Sequence, residues 1–392
     1  MQLASRISQL MPEGAFTVLA KAQELERQGK SIIHLEIGQP DFPTPKHITA
    51  AGMRALEEGK TKYVPSLGTM ELREALAQHI TQRTGVTTTI NNIAVTPGCK
   101  TAIFSAFAAI IHPGDEVMYP DPGFPAYESL IRFFGGTPIP IPLVEERQFS
   151  FDMDVLREHL SAKTKAIVLN FPGNPTGTTL PEKDMQEIAD LLQESKTWII
   201  SDEIYGRIVY EEKPYTSIYS LPGMKDRTII VDGFSKTYAM TGWRLGYMVV
   251  PECIINKKDL LLVNTFSCTA PFTQEAGIAG LTGPQEPIDA MVDKFRKRRD
   301  YVVSTLNDIP GITCFKSQGA FYAFPNIKAF KKSSEELAEY LLEEAGVALL
   351  PGTAFGKYGE GYLRISYSTR MEKLEEALDR MRKTLRNVHK RN

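Results

Sequence analysis

The run Asp232-Gly-Phe-Ser-Lys-Thr-Tyr-Ala-Met-Thr-Gly-Trp-Arg-Leu-Gly-Tyr247 follows directly on the β-favouring stretch Thr228-Ile-Ile-Val231. A short apolar, β-branched run ending in Asp-Gly predicts a buried strand that stops where the polar residues begin. In an open α/β sheet, ligands sit outside the carboxyl ends of the strands. A lysine placed there is partly removed from water, which lowers its pKa and helps its amine attack a carbonyl. Arg244 follows eight residues after Lys236 in a Gly-flanked turn, where a guanidinium can grip a phosphate through two parallel hydrogen bonds. Taken alone, a Ser-Lys pair at a strand end is usually an exposed lysine. A glycine-bounded turn explains Gly242 and Gly246 but leaves Lys236 and Arg244 without a reason.

Outward from this run, residues 90 to 250 alternate short β-rich segments with longer helical ones. Strands are predicted at Ile93–Thr96, Glu116–Tyr119, Ala166–Leu169, Trp198–Ser201, Thr228–Asp232 and Gly246–Val250. Helices are predicted at Lys100–Ile111, Ala126–Phe134, Met153–Leu160 and Glu182–Ser195. Such alternation indicates an α/β fold with a mostly parallel sheet between helices. Beyond about residue 285 the texture changes to a long charged helix (Ile288–Leu306), three strand-like segments (Phe321–Phe324, Val347–Leu350, Tyr362–Ser366) and a last helix (Lys373–Arg386). This reads as a smaller α+β domain. The expected division is an N-terminal segment 1–40 packing with the small domain, a large domain 41–285 and a small domain 286–392.

Composition narrows the function. With 42% hydrophobic and 23% charged residues, the 392-residue chain is ordinary globular protein, long enough for two domains. A formal net charge of −2 gives no bulk attraction to nucleic acid or to an acidic membrane surface. The basic run Lys294–Arg299, and another at the C-terminus, read as solvated helix faces. The four cysteines (Cys99, Cys253, Cys268, Cys314) form no C-x-x-C pair, which argues against a zinc site or a disulfide scaffold and for a reducing compartment. No stretch approaches the ~18 apolar residues that span a bilayer, and no signal peptide is visible. A cytoplasmic protein is expected.

Further motifs carry chemistry. In Ser201-Asp-Glu-Ile-Tyr205 a carboxylate stands at the end of a buried strand, where it could bind a metal, act as a base, hold a protonated ring nitrogen or cap a helix. No histidine nearby supports a metal, and Glu203 points away from Asp202 if the strand continues. Asn170-Phe-Pro-Gly-Asn-Pro-Thr-Gly177 is a stiff turn in which Asn174, 28 residues before Asp202, offers an amide donor. Thr96-Pro-Gly-Cys-Lys-Thr-Ala-Ile103 reads as strand, glycine turn and helix, so that free N–H groups at the helix start make an anion site. The Walker spacing is absent. Asp121-Pro-Gly-Phe-Pro-Ala-Tyr127 presents Phe124 from a proline-stiffened loop, and Leu363-Arg-Ile-Ser-Tyr367 places Arg364 in an alternating strand.

Together these segments resemble the class I/II aminotransferases, the fold-type I pyridoxal-phosphate (PLP) enzymes, and in particular the aspartate/aromatic group. The likeness runs from Ile37-Gly-Gln-Pro-Asp-Phe42 to Leu363-Arg-Ile-Ser366, nearly the whole chain. It implies a large domain with a mostly parallel seven-stranded sheet. It further implies that Lys236 carries PLP as a Schiff base and later moves the substrate proton. Asp202 would partner the ring nitrogen, and Tyr205 and Asn174 the 3′-oxygen, with Asn174 also bordering the substrate carboxylate. Gly98, Cys99 and Lys100 would cradle the phosphate through backbone amides, with Arg244 and Ser235. Many family members carry Ser or Thr where this chain has Gly233. Phe124 would stack on the ring, while Arg364 and the Gly38 loop would hold the substrate α-carboxylate. Tyr63 would reach the phosphate of a neighbouring subunit, which implies a homodimer with shared active sites.

The expected function is therefore ping-pong transfer of an amino group between an α-amino acid and a 2-oxo acid, with 2-oxoglutarate as one partner by family analogy. The same surroundings would serve a PLP-dependent lyase, decarboxylase, synthase or oxidase. A ligand sensor built on an inactive aminotransferase fold is the third reading; it is disfavoured because competent residues fill the catalytic positions and no room is left for a DNA-binding domain. No nucleic acid, membrane or metal is expected.

Overall fold

The computed structural model describes residues 3–211 and 215–389. The end of the C-terminal basic run, Lys390 to Asn392, lies outside them.

The first strand, β1 (Ile33–His34), is separate from the large sheet, which is built from the next eight: β2 (Ile93–Thr96), β3 (Glu116–Asp121), β4 (Thr137–Val144), β5 (Ser150–Phe151), β6 (Thr164–Asn170), β7 (Trp198–Asp202), β8 (Thr228–Gly233) and β9 (Gly246–Val249). Their spatial order is β2-β9-β8-β7-β6-β3-β4-β5. Neighbours from β8 to β4 pair in parallel, whereas β9 runs against both β2 and β8, and β5 runs against β4. The mostly parallel sheet expected from the alternation is present, and the two-residue β5 adds an eighth strand at its edge.

Burial on both faces explains the near-continuous apolar runs of the central strands. Ile229 and Val231 of β8 pack with Ala102, Ala106 and Phe107 of the helix Cys99–Ile110. Ile230, pointing the other way, packs with Leu72, Leu76 and Ile80 of the helix Met70–Thr84. Each such aliphatic side chain contributes roughly 1.5–3 kcal/mol by leaving water.

β4 is a strand that its sequence conceals, because Pro138, Pro140 and Pro142 argue against a sheet interior. The alternation resolves this. Odd-numbered residues face β3, as in Thr137 N–H donating to Asp115 O at 2.8 Å. The prolines face the opposite side, where Pro142 O accepts from Asp152 N–H at 2.8 Å. The missing donors all fall toward the edge, so the ladder to β3 is complete.

Toward the C-terminus, β10 (Tyr322–Ala323), β11 (Val347–Ala348), β12 (Leu350–Pro351) and β13 (Leu363–Ser366) make smaller sheets. β13 lies antiparallel between β10 and β12, and β11 pairs in parallel with β1. The helix Gly14–Arg27 also touches β11 and β12.

One expectation is corrected. The run Lys294–Arg299 lies on the helix Glu286–Asn307, yet it is not solvated throughout. Arg298 and Arg299 are buried. Arg298 grips Asp41 with two bonds of 2.7 and 2.9 Å, and Arg299 donates to Ser317 O at 2.8 Å over the face of Tyr210. Charge patterning cannot tell a solvated face from one whose charges find partners across the fold.

Candidate active site

The carboxyl ends of the parallel strands deliver the chemistry to one edge. Asp202 ends β7, Asn170 ends β6, Asp121 ends β3, and β8 ends at Gly233, three residues before Lys236. Since β9 is antiparallel, the residues that precede it lie at this same edge, and so Arg244 arrives beside the turn that follows β2. There Gly98, with φ +90°, is the N-cap of the helix Cys99–Ile110. A Cβ at Gly98 would lie 2.4 Å from Arg244 Nη2. Only glycine lets the helix start and the guanidinium share this corner, where N–H groups and positive charge converge for an anion.

A cleft of about 430 Å³ opens over these strand ends. Gly38, Cys99, Lys100, Phe124, Asn174, Asp202, Tyr205, Ser235, Lys236, Arg244 and Arg364 all line it, and Gly98 adjoins it against Arg244, so of the expected site residues one lies apart. Tyr63 is the exception: its side chain is 90% exposed and lies outside the cleft of its own chain.

Lys236 is largely withdrawn from solvent, with its Nζ donating to Gly38 O at 2.5 Å. Burial, aided by the Arg364 guanidinium, lowers its pKa to about 8. Asp202 is buried; it accepts from Tyr127 O–H at 2.6 Å and from Ile204 N–H at 3.2 Å. Burial pushes its carboxyl up to about 6, against the pull of the Tyr127 bond. Burial likewise pushes the Cys99 thiol well up, which suits a small first-turn residue and not a nucleophile.

Glu203 points to the other side of β7, as strand alternation requires. It accepts from Arg83 at 2.7 Å and from Ser201 at 2.8 Å. Arg83 also donates to Asp232 at 3.0 Å, joining the ends of β7 and β8 beneath the cleft.

Across the cleft, Arg364 stands on β13, only 3% exposed. Its Nη1 donates to Asn174 Oδ1 at 3.1 Å and its Nη2 to Glu36 O. Its Nε is buried and has no partner among the described residues. The guanidinium lies 4.6 Å from the Tyr322 ring centroid and 4.9 Å from that of Phe355. Lys100 reaches out of the helix start to an ion pair with Glu13, at 5.5 Å from the Phe124 ring.

Sequence reasoning missed Tyr127, Tyr322, Asn170, Glu13 and Phe355 as cleft residues. Tyr127 closed a motif already singled out, and its spacing from Phe124 was the available signal. Tyr322 and Phe355 gave none, because each reaches the cleft only through small-domain packing.

The family description "Aminotransferase class I and II" matches residues 30–381. An aspartate aminotransferase of Pyrococcus abyssi is 43% identical, over 91% of this chain and 92% of its own. Aromatic-amino-acid aminotransferase 2 of Thermococcus litoralis is 40% identical, over 98% and 99%. The solved alanine aminotransferase of Pyrococcus furiosus superposes with a TM-score of 0.94 at 37% identity, over 98% of this chain and 100% of the other.

Proposed function

The chain belongs to the class I and II aminotransferase family, and on that premise we propose that it uses PLP, held in this cleft, with 2-oxoglutarate as one amino-group acceptor. The enzyme transfers an amino group between an amino acid and a 2-oxo acid. The observation that carries the cofactor reading is the desolvated Lys236 amine, in one cleft with the buried Asp202 carboxylate and with Arg364, whose Nε has no partner among the described residues.

The residues present fit PLP. The Gly98 corner, with the helix N–H groups and Arg244, suits a phosphate. Asp202 suits a protonated ring nitrogen, Phe124 a ring face, and Tyr205 with Asn174 an anionic ring oxygen. A volume of about 430 Å³ falls in the usual range of small-molecule sites, roughly 300–1,000 Å³. When bound, PLP supplies the electron sink that stabilises charge at the substrate Cα. Lys236 would hold the cofactor through its amine and would move the proton at the substrate Cα. Arg364 fixes the substrate by its α-carboxylate, the group all amino acids share. Ser235 and the backbone amides of Cys99 and Lys100 complete the anion site.

The same proposal includes a homodimer in which Tyr63 reaches a neighbouring subunit's phosphate site, and its exposure leaves it available for that. It includes the division 1–40, 41–285 and 286–392, supported by the pairing of β1 with β11. A cytoplasmic location is supported by four free cysteines. No helix among the described residues is long and apolar enough to cross a membrane.

The test is a single-turnover screen of amino acids against the PLP-loaded protein. One 2-oxo acid should form per cofactor converted to its amine form, and 2-oxoglutarate should reverse the conversion. Release of carbon dioxide or ammonia without that conversion would put a decarboxylase or lyase in its place.

pH gives a second expectation. Only the neutral amine attacks a carbonyl, and the Lys236 pKa is lowered to about 8. Capture of PLP by the apoprotein should therefore accelerate about tenfold per pH unit below that value and level off above it. Stopped-flow absorbance reads this directly, and a rate still climbing tenfold per unit from pH 9 to 10 would mean an ordinary exposed lysine.

A further inference from the structure

Tyr322 belongs to no motif considered so far, yet it touches both halves of the candidate chemistry. It is 1% exposed on β10 and pairs with Ser366 of β13, two residues along from Arg364 on the same face. Its hydroxyl lies 2.7 Å from the Tyr205 hydroxyl, and its ring stands edge-on to the Tyr205 ring at 5.7 Å. The Arg364 guanidinium rests 4.6 Å from its ring centroid. The loop carrying Gly38 passes so close that a Cβ there would lie 2.2 Å from the Tyr322 hydroxyl oxygen. The geometry thus explains the glycine at 38.

We propose that Tyr322 is a positioning residue of the reaction: its hydroxyl orients the Tyr205 phenol, and its ring braces Arg364. The proposal rests on the PLP reading above. A phenol has one proton to donate. If Tyr205 donates into the cleft toward the cofactor's ring oxygen, it must accept from Tyr322, so the 2.7 Å bond acquires a direction. A donor that itself accepts a hydrogen bond is strengthened, by about 10–30% per bond. Burial pushes the Tyr322 phenol up, so it keeps its proton across the working range even though Arg364 pulls the other way. The ring has a separate task. Its π-face meets a guanidinium whose Nε lacks a partner among the described residues, which limits the directions in which the fork can swing. One side chain from the C-terminal part of the chain therefore sets the angle of a donor on the large sheet and of the carboxylate fork facing it.

The two tasks separate by substitution. Tyr322→Phe keeps the ring and the packing but removes the hydroxyl, and Tyr322→Leu removes both. Each variant and the unmodified enzyme would be loaded with PLP, and the visible absorption band followed from pH 5 to 10. A weakened Tyr205 donor should raise the midpoint of Tyr322→Phe by about 0.1–0.6 pH unit, a fraction of one charge-assisted hydrogen bond. Its kcat should fall about three- to tenfold, with the amino-acid KM within twofold. Tyr322→Leu should show the same shift and, in addition, a KM about tenfold higher. A Tyr322→Phe midpoint equal to that of the unmodified enzyme overturns the proposal and leaves the cofactor reading intact. An unmodified enzyme that takes up no PLP overturns the cofactor reading first, and the proposal with it.

Discussion

Lys236→Ala should lower turnover by about 10⁴-fold or more and abolish the visible absorption of the PLP-loaded protein. Two functions would go at once: the amine that attaches the cofactor and the base that carries the Cα proton. No neighbour can substitute. The Nζ sits in an enclosed corner, and the other amine lining the cleft, Lys100, is turned outward to Glu13. Structural collapse is not the expected cause. Among the described residues the Lys236 amine makes a single hydrogen bond, to Gly38 O, and its burial already costs part of its charge. The thermal midpoint of the apo variant should therefore stay within a few degrees of the unmodified apoprotein. Full activity in Lys236→Ala would remove the assignment outright.

Arg364→Leu should reduce kcat/KM for amino acids by about 10³-fold, mostly through KM. A buried fork that meets a carboxylate gains two charge-assisted bonds, and removing one partner leaves the other charge unpaired, at about 3–5 kcal/mol. Arg364→Lys should recover little, because an ammonium keeps the charge but loses the planar pair of donors. The sharper comparison uses a substrate amine without a carboxylate. For the unmodified enzyme it should be poorer than the amino acid by a similar factor, and for Arg364→Leu the two should be nearly equal. A variant that still prefers the amino acid by 10³-fold would place the carboxylate elsewhere.

How much of this was legible in the chain depends on the distance over which each feature is set. β2, β7 and β8 are plain from apolar runs ended by polar residues, and their observed bounds differ from the sequence reading by at most one residue. The turn after β8 announces Lys236 because glycines and a strand end are local facts. β4 was hidden by its prolines, since only its place beside the edge shows that their missing N–H groups cost nothing. The buried Arg298 was misread as solvated because its partner, Asp41, is far away in the chain.

By itself, then, the sequence determined the α/β architecture and the residue types at the strand ends: an amine, a carboxylate, an amide and a guanidinium. Periodicity and turn chemistry act within a few residues and are written in them. The tertiary structure alone decided that these groups share one cleft. The reversal of β9 brings Arg244 to Gly98, β13 brings Arg364 to Asn174, and β10 brings Tyr322 to Tyr205. Strand order and register arise from burying both faces of the sheet at once, a condition on the whole chain that no local window contains.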